Sequence, residues 1–140
     1  MAIHSLPTDL PTDLDRPLPP LNLETIQGIL DEVIDDETIH RWVWLGLGYR
    51  WQPEEKRWDA TGAPADWQTD YPEPPAFVES RPATVKLTRS IAAPYKQLLK
   101  EQLGFKGYQI NELVPRKTRR ATMANWLLAY LAVTATSTEV

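Results

Sequence analysis

The stretch "SRPATVKLTRSI", Ser80 to Ile91, is where the architecture turns. Apolar and polar residues alternate along it: Val85, Leu87 and Ile91 fall on one face, Lys86, Thr88 and Ser90 on the other. A period of two with β-branched residues predicts a strand. Arg89 falls on the apolar face of such a strand, so it should reach an edge or meet a carboxylate.

A strand needs a partner, and "YRWQPEEKRWDA" (Tyr49–Ala60) supplies one. Pro53 suits the second position of a turn, and a four-residue loop sets Trp51 opposite Trp58 and Arg50 opposite Asp59. Tyr49 shares the face of the two tryptophans. The segment therefore predicts a short hairpin with an aromatic face.

The remaining periodic segments read as helices. In "NLETIQGILDEVI" Asn22 is an N-cap, and Leu23, Ile26, Ile29, Leu30, Val33 and Ile34 share one arc. Asp35 or Asp36 then caps "ETIHRWVWLGL", which is apolar nearly all round and ends at Gly46 or Gly48. Such a helix is buried on several sides or offers a face, including Trp44, to a partner. "PYKQLLKEQLGF" is opened by Pro94 and closed by Gly104. The last helix begins in "PRKTRRATMANWLLAYL", Pro115–Leu131. Residues 61–82 form a proline-punctuated connector with helical turns near Asp66–Tyr71 and Pro75–Glu79.

The prediction is an α+β domain with about four helices packed around a small antiparallel sheet, the hairpin plus one further strand. It spans residues 21–133, between a disordered proline-rich arm (1–20, with "LPTD" repeated at Leu6 and Leu10) and a frayed tail (134–140). The arm has nothing to bury, so its removal should leave stability unchanged. At 140 residues a single domain with a real core is expected.

Composition excludes several classes of function. The chain has no Cys, which removes disulfides, thiolate metal sites and cysteine nucleophiles. No apolar run approaches the roughly 18 residues of a membrane span. The N-terminus lacks the charged and apolar regions of a signal peptide, so a cytoplasmic location is expected. His4 and His40 have no ligand spacing, and His40 reads as a surface or boundary residue. The acidic run Asp31–Glu37 lacks the glycine-punctuated loop of a calcium site. No phosphate-cradling loop, nucleophile elbow or zinc spacing occurs. Neither a catalytic set, a metal site nor a cofactor is predicted.

Charge is the main functional signal. The net charge of -4 conceals five Lys/Arg against sixteen Asp/Glu in residues 1–80, and ten Lys/Arg against two Glu in residues 81–138. Such asymmetry points to an anionic partner, or to two halves that neutralise each other. The densest cations are Arg116, Lys117, Arg119 and Arg120, at the start of a helix where positive charge is disfavoured. On a helical wheel Arg116 and Arg120 continue the stripe of Met123, Leu127 and Leu131, whereas Thr118, Thr122, Asn125 and Ala129 form the opposite, solvated side. The guanidiniums should then lie at the rim of the core, directed at carboxylates of residues 24–79 or at an anion. With Arg89 they form the candidate anion or partner-binding set, and Trp44, Trp51 and Trp58 are the candidate aromatic surface.

The pieces "YPEPP", "SRPATVKLTRSI", "KQLLKEQLGFKGYQI" and "PRKTRRAT" followed by "NWLL" resemble a small family of unknown function found in cyanobacteria and plant plastids. The resemblance covers about Leu21 to Leu131. It implies a photosynthetic host and a cytoplasmic or stromal setting, and it carries no activity, cofactor or catalytic residue. The expected function is a non-enzymatic protein-interaction or assembly module whose partner is another protein. The alternative is weak nucleic-acid binding through the basic C-terminal helix. A third is an enzyme with an arginine-lined anion pocket.

Overall fold

A computed structural model describes residues 18–108 and 114–138. Six helices and one two-stranded antiparallel sheet follow in the order α1 (Leu23–Leu30), α2 (Asp36–Leu47), β1 (Arg50–Gln52), β2 (Arg57–Asp59), α3 (Ala65–Asp70), α4 (Arg81–Arg89), α5 (Leu98–Leu103) and α6 (Pro115–Thr138). Short 3₁₀ turns at Phe77–Glu79 and Ala93–Tyr95 precede α4 and α5. The class is α+β as expected, with six helices in place of about four.

One correction is substantial. The expected strand at Ala83–Ile91 is α4 with its following turn, so the sheet is the hairpin alone among the described residues. Ser80 Oγ accepts the Ala83 N–H as N-cap, and Pro82 sits in the first turn, where its missing N–H costs nothing. Ala83, Thr84, Leu87 and Ile91, spaced for one helical face, are all buried. The Thr84 and Thr88 hydroxyls donate to the carbonyls of Ser80 and Thr84, which accommodates β-branched residues inside a helix.

Helix boundaries follow local chemistry. Asn22 and Thr25 form a reciprocal capping box at α1, with bonds of 2.9 and 3.0 Å. At the other end Glu32 lies at φ 63°, and the N–H groups of Glu32 and Val33 donate to the carbonyls of Ile29 and Gly28. That pairing is the left-handed helix stop normally built on glycine. Asp35 caps α2 through the Thr38 N–H. Gly48 ends α2 at φ 114°, and there a Cβ would collide with the carbonyl of Gly62.

The hairpin has the expected register: Arg50 pairs with Asp59, Trp51 with Trp58 and Gln52 with Arg57. Tyr49 is fully buried beside it, and its hydroxyl donates to the Tyr71 carbonyl at 2.7 Å. Burial pushes that phenol up to about 12.

Helix α6 is the axis of the core. It packs against α1, α2, α4, α5 and the first 3₁₀ turn. Every residue from Met123 to Ala129 is buried, as a helix surrounded by other elements requires. The side expected to be solvated is therefore partly covered. Asn125 accepts the Leu99 N–H through Oδ1 and donates to the Tyr95 carbonyl, which fastens α5 to α6. The segment expected as one helix from Pro94 breaks at Lys96–Gln97 into a 3₁₀ turn and α5, closed by Gly104 at φ 69°.

The folded body begins before residue 21. Leu18 and Leu21 are buried, and the Pro19 carbonyl accepts the Trp42 indole N–H at 3.0 Å. The rest of the expected arm lies outside the described residues.

Candidate functional site

The four cations at the start of α6 all meet acceptors within the chain. Arg120 is 1 % exposed. Its Nη1 donates to Asp36 Oδ1 at 2.6 Å, and its Nη2 donates to the carbonyls of Ile29 and Ile34 at 2.9 and 2.6 Å. One guanidinium thus neutralises a carboxylate in the first turn of α2, satisfies the Ile29 carbonyl at the negative end of α1, and holds the Ile34 carbonyl in the turn between them. Arg116 adds two bonds to the Asp36 carboxylate at 3.1 and 3.3 Å. Glu32, held at the end of α1, lies 3.5 Å from Arg116 and 3.4 Å from Lys117. Arg119 donates to the Val78 carbonyl at 3.0 Å. The anions that offset the α6 cluster are therefore Glu32 and Asp36, in and beside the turn between α1 and α2.

Other cations are left over. Arg81 and Arg89 on α4, and Lys100 and Lys106 on and after α5, are exposed and form no ion pair among the described residues. Among the described residues Lys96 donates to the Thr88 carbonyl and forms no ion pair. Lys86, between Arg81 and Arg89 in sequence, differs: its ammonium bonds Asp66 and Asp70 at 2.9 and 3.0 Å and lies 5.0 Å from the centroid of Trp67. Those two hydrogen bonds raise its pKa, the Asp66 bond foremost. Arg89, grouped with the α6 cations from sequence, is thus separated from them. It lies at a groove of about 760 Å³ between α3 and α4.

Trp44, Trp51 and Trp58 do come together. Trp58 stands edge-on to Trp44 and to Trp51, with ring centroids 5.2 and 5.8 Å apart. All three are half-buried, and the Trp44 indole donates to the Pro75 carbonyl. His40 continues the row, stacked on Trp44 at 5.7 Å. Contrary to its expected boundary position it is buried, and its Nε2 accepts the Val78 N–H at 3.1 Å. Burial lowers its pKa, against smaller opposing contributions from Asp36 and Glu79. A neutral imidazole in that role is a structural acceptor, with the proton on Nδ1.

The sequence reading did not anticipate a cavity of about 880 Å³ between α5, the following loop and α6. Ile91, Leu99, Phe105 and Ala121 are its apolar walls, and Lys96, Lys100 and Lys106 also line it. The detectable signal was three lysines within eleven residues accompanied by Glu101 alone. Among the described residues no three His, Asp or Glu are grouped to hold a metal ion. No described helix is long and apolar enough to cross a membrane.

Comparison with curated proteins gives no match. A solved structure, described as "Solution NMR structure of the protein", is 56% identical over 82% of this chain and 96% of its own, with a TM-score of 0.72. The family described as a domain of unknown function, DUF1823, matches residues 20–132. Its span begins one residue after Pro19, the acceptor of the Trp42 indole, and ends in α6. The chain belongs to this DUF1823 family.

Proposed function

We propose that the chain is a non-enzymatic protein-interaction module that docks an acidic protein segment on the outer face of α4. The observation that carries this reading is the sorting of cations. The α6 cluster is engaged by Glu32, Asp36 and backbone carbonyls, whereas Arg81 and Arg89 remain exposed and unpaired among the described residues. These two flank half-buried Val85, which lines grooves on both sides of α4. Two arginines one turn to either side of Val85 suit a protein partner that brings carboxylates and one apolar side chain, seated away from Asp66 and Asp70, which pair with Lys86 across the groove to α3. The resemblance in the sequence supports a photosynthetic host and a cytoplasmic or stromal setting.

The pairing of Arg116, Lys117 and Arg120 with Glu32 and Asp36 also favours protein over nucleic acid, because the charge of the cluster is already partly offset within the chain. The test is affinity capture from an extract of a photosynthetic organism with the wild type and an Arg81→Glu/Arg89→Glu variant. It is paired with salt titrations of duplex DNA and single-stranded RNA. A retained protein lost with the variant supports the reading. Equal capture by both, or nucleic-acid binding with a steep salt dependence, would replace it.

A further inference from the structure

We infer that the cavity between α5 and α6 is a binding site for a soluble amphiphile, a small molecule with an apolar body and one carboxylate or phosphate head. Its volume of about 880 Å³ falls in the range of small-molecule sites, roughly 300–1,000 Å³. The walls come from three directions: Thr88 and Ile91 at the end of α4, Leu99 with the Phe105–Tyr108 loop, and Thr118, Ala121 and Thr122 of α6.

The interior is less polar than its residue types suggest. The hydroxyls of Thr88, Thr118 and Thr122 each donate to the carbonyl four residues earlier. Asn125 is engaged on both sides of its amide by Leu99 and Tyr95. These groups therefore keep their donors for the backbone, and the apolar surface offered to a ligand comes from half-buried Phe105 and Tyr108 and from the edges of Ile91, Leu99 and Ala121. An apolar body fits such walls.

Charge decides the head group. Lys96, Lys100 and Lys106 line the cavity, and among the described residues no Asp or Glu does. In a chain of net charge -4 this is a local excess of cation. Ammonium groups bind carboxylate or phosphate as point charges. Three of them at one cavity would hold a single anionic head while its body enters. Arg81 and Arg89 do not line the cavity, although Thr88, Thr118 and Thr122 are shared with the groove beside Val85, so charge reversal at the two arginines distinguishes this site from the docking face on α4.

The test is an amide-resolved NMR titration of the full chain with dodecanoate and with dodecyl phosphate, both kept monomeric. Dodecanol, inorganic phosphate and anionic phospholipid vesicles serve as comparisons. Saturable shifts at Thr88, Leu99, Phe105, Tyr108 and Thr122, with either anion, are expected. Dodecanol and inorganic phosphate should each bind at least about tenfold more weakly, since each lacks one half of the recognition. Lys100→Glu/Lys106→Glu should weaken the anions by about tenfold or more while the fold, read from the same spectra, is unchanged. Thr122→Trp, which places an indole on the α6 wall, should weaken binding, and Arg81→Glu/Arg89→Glu should leave it intact. Absence of binding at about millimolar ligand, shifts centred elsewhere, equal binding of dodecanol, or binding to vesicles alone would each overturn the inference.

Discussion

Arg120 Nη1 lies 2.6 Å from Asp36 Oδ1, joining the second turn of α6 to the first turn of α2 across 84 residues of chain. The same guanidinium bonds Ile29 and Ile34, so three elements meet on one side chain. Replacing Arg120 by Met keeps the apolar stem and removes these donors. A buried pair broken from one side loses about 3–5 kcal/mol. The half-exposed Arg116, replaced in the same way, should lose less than about 1 kcal/mol. Urea unfolding of the two variants measures the contrast, and equal losses would contradict the assignment of Arg120 as the central link.

His40 makes stability depend on pH. Its pKa is lowered in the folded protein by burial, so below pH 6.5 the unfolded chain takes up the proton more readily. Stability therefore falls as pH drops below about 6.5, the unfolded value, and the contribution is fully present above it. Denaturant midpoints between pH 7 and 5 should show this decline. In His40→Gln the slope should flatten, although the variant is less stable throughout.

Gly48 is predicted to be intolerant of any side chain. Its φ of 114° and its contact with the Gly62 carbonyl act together, and a Cβ there strains the backbone and displaces the loop after β2. Gly48→Ala should cost more than the roughly 1 kcal/mol of an ordinary left-handed position. Gly104→Ala, with open space around its Cβ, should show that smaller cost. Thermal unfolding of the pair separates conformation from collision.

The N-terminal boundary can be located by deletion. Removing residues 1–17 should leave the melting temperature nearly unchanged. Extending the deletion through Pro20 also removes buried Leu18 and the acceptor of the Trp42 indole. A loss of about 2–4 kcal/mol is expected, from burial and one orphaned donor. Identical melting curves for the two deletions would place the boundary later.

The hairpin was legible because its information is local. Two tryptophans, a proline turn and one Arg–Asp pair fix a register without reference to the rest of the chain. The caps at Asn22 and Gly104 were legible for the same reason, and those at Asp35 and Gly48 were narrowed to two residues each. Ser80–Ile91 was misread because Val85, Leu87 and Ile91 fit a period of two over too few residues. Ala83 and Thr84 complete a helical face instead, and Ser80 with Pro82 marks its start. Threonine argues for a strand only while its hydroxyl has no carbonyl one turn back. The inward placement of Arg120 could be read from its stripe, although Arg116 on the same stripe is half-exposed. The choice of Glu32 and Asp36 among sixteen acids could not, since it depends on how α1, α2 and α6 meet.

The position of α6 in the chain sets the order in which the molecule can be assembled. Synthesis proceeds from the N-terminus, so α1, α2, α4 and α5 emerge before the helix on which they close. Until Met123–Ala129 has left the ribosome, the apolar surfaces of four helices have no common partner. The hairpin and the capped helical turns can form early from neighbouring residues. The core closes after translation of α6, through contacts between distant parts of the chain that are slow to find.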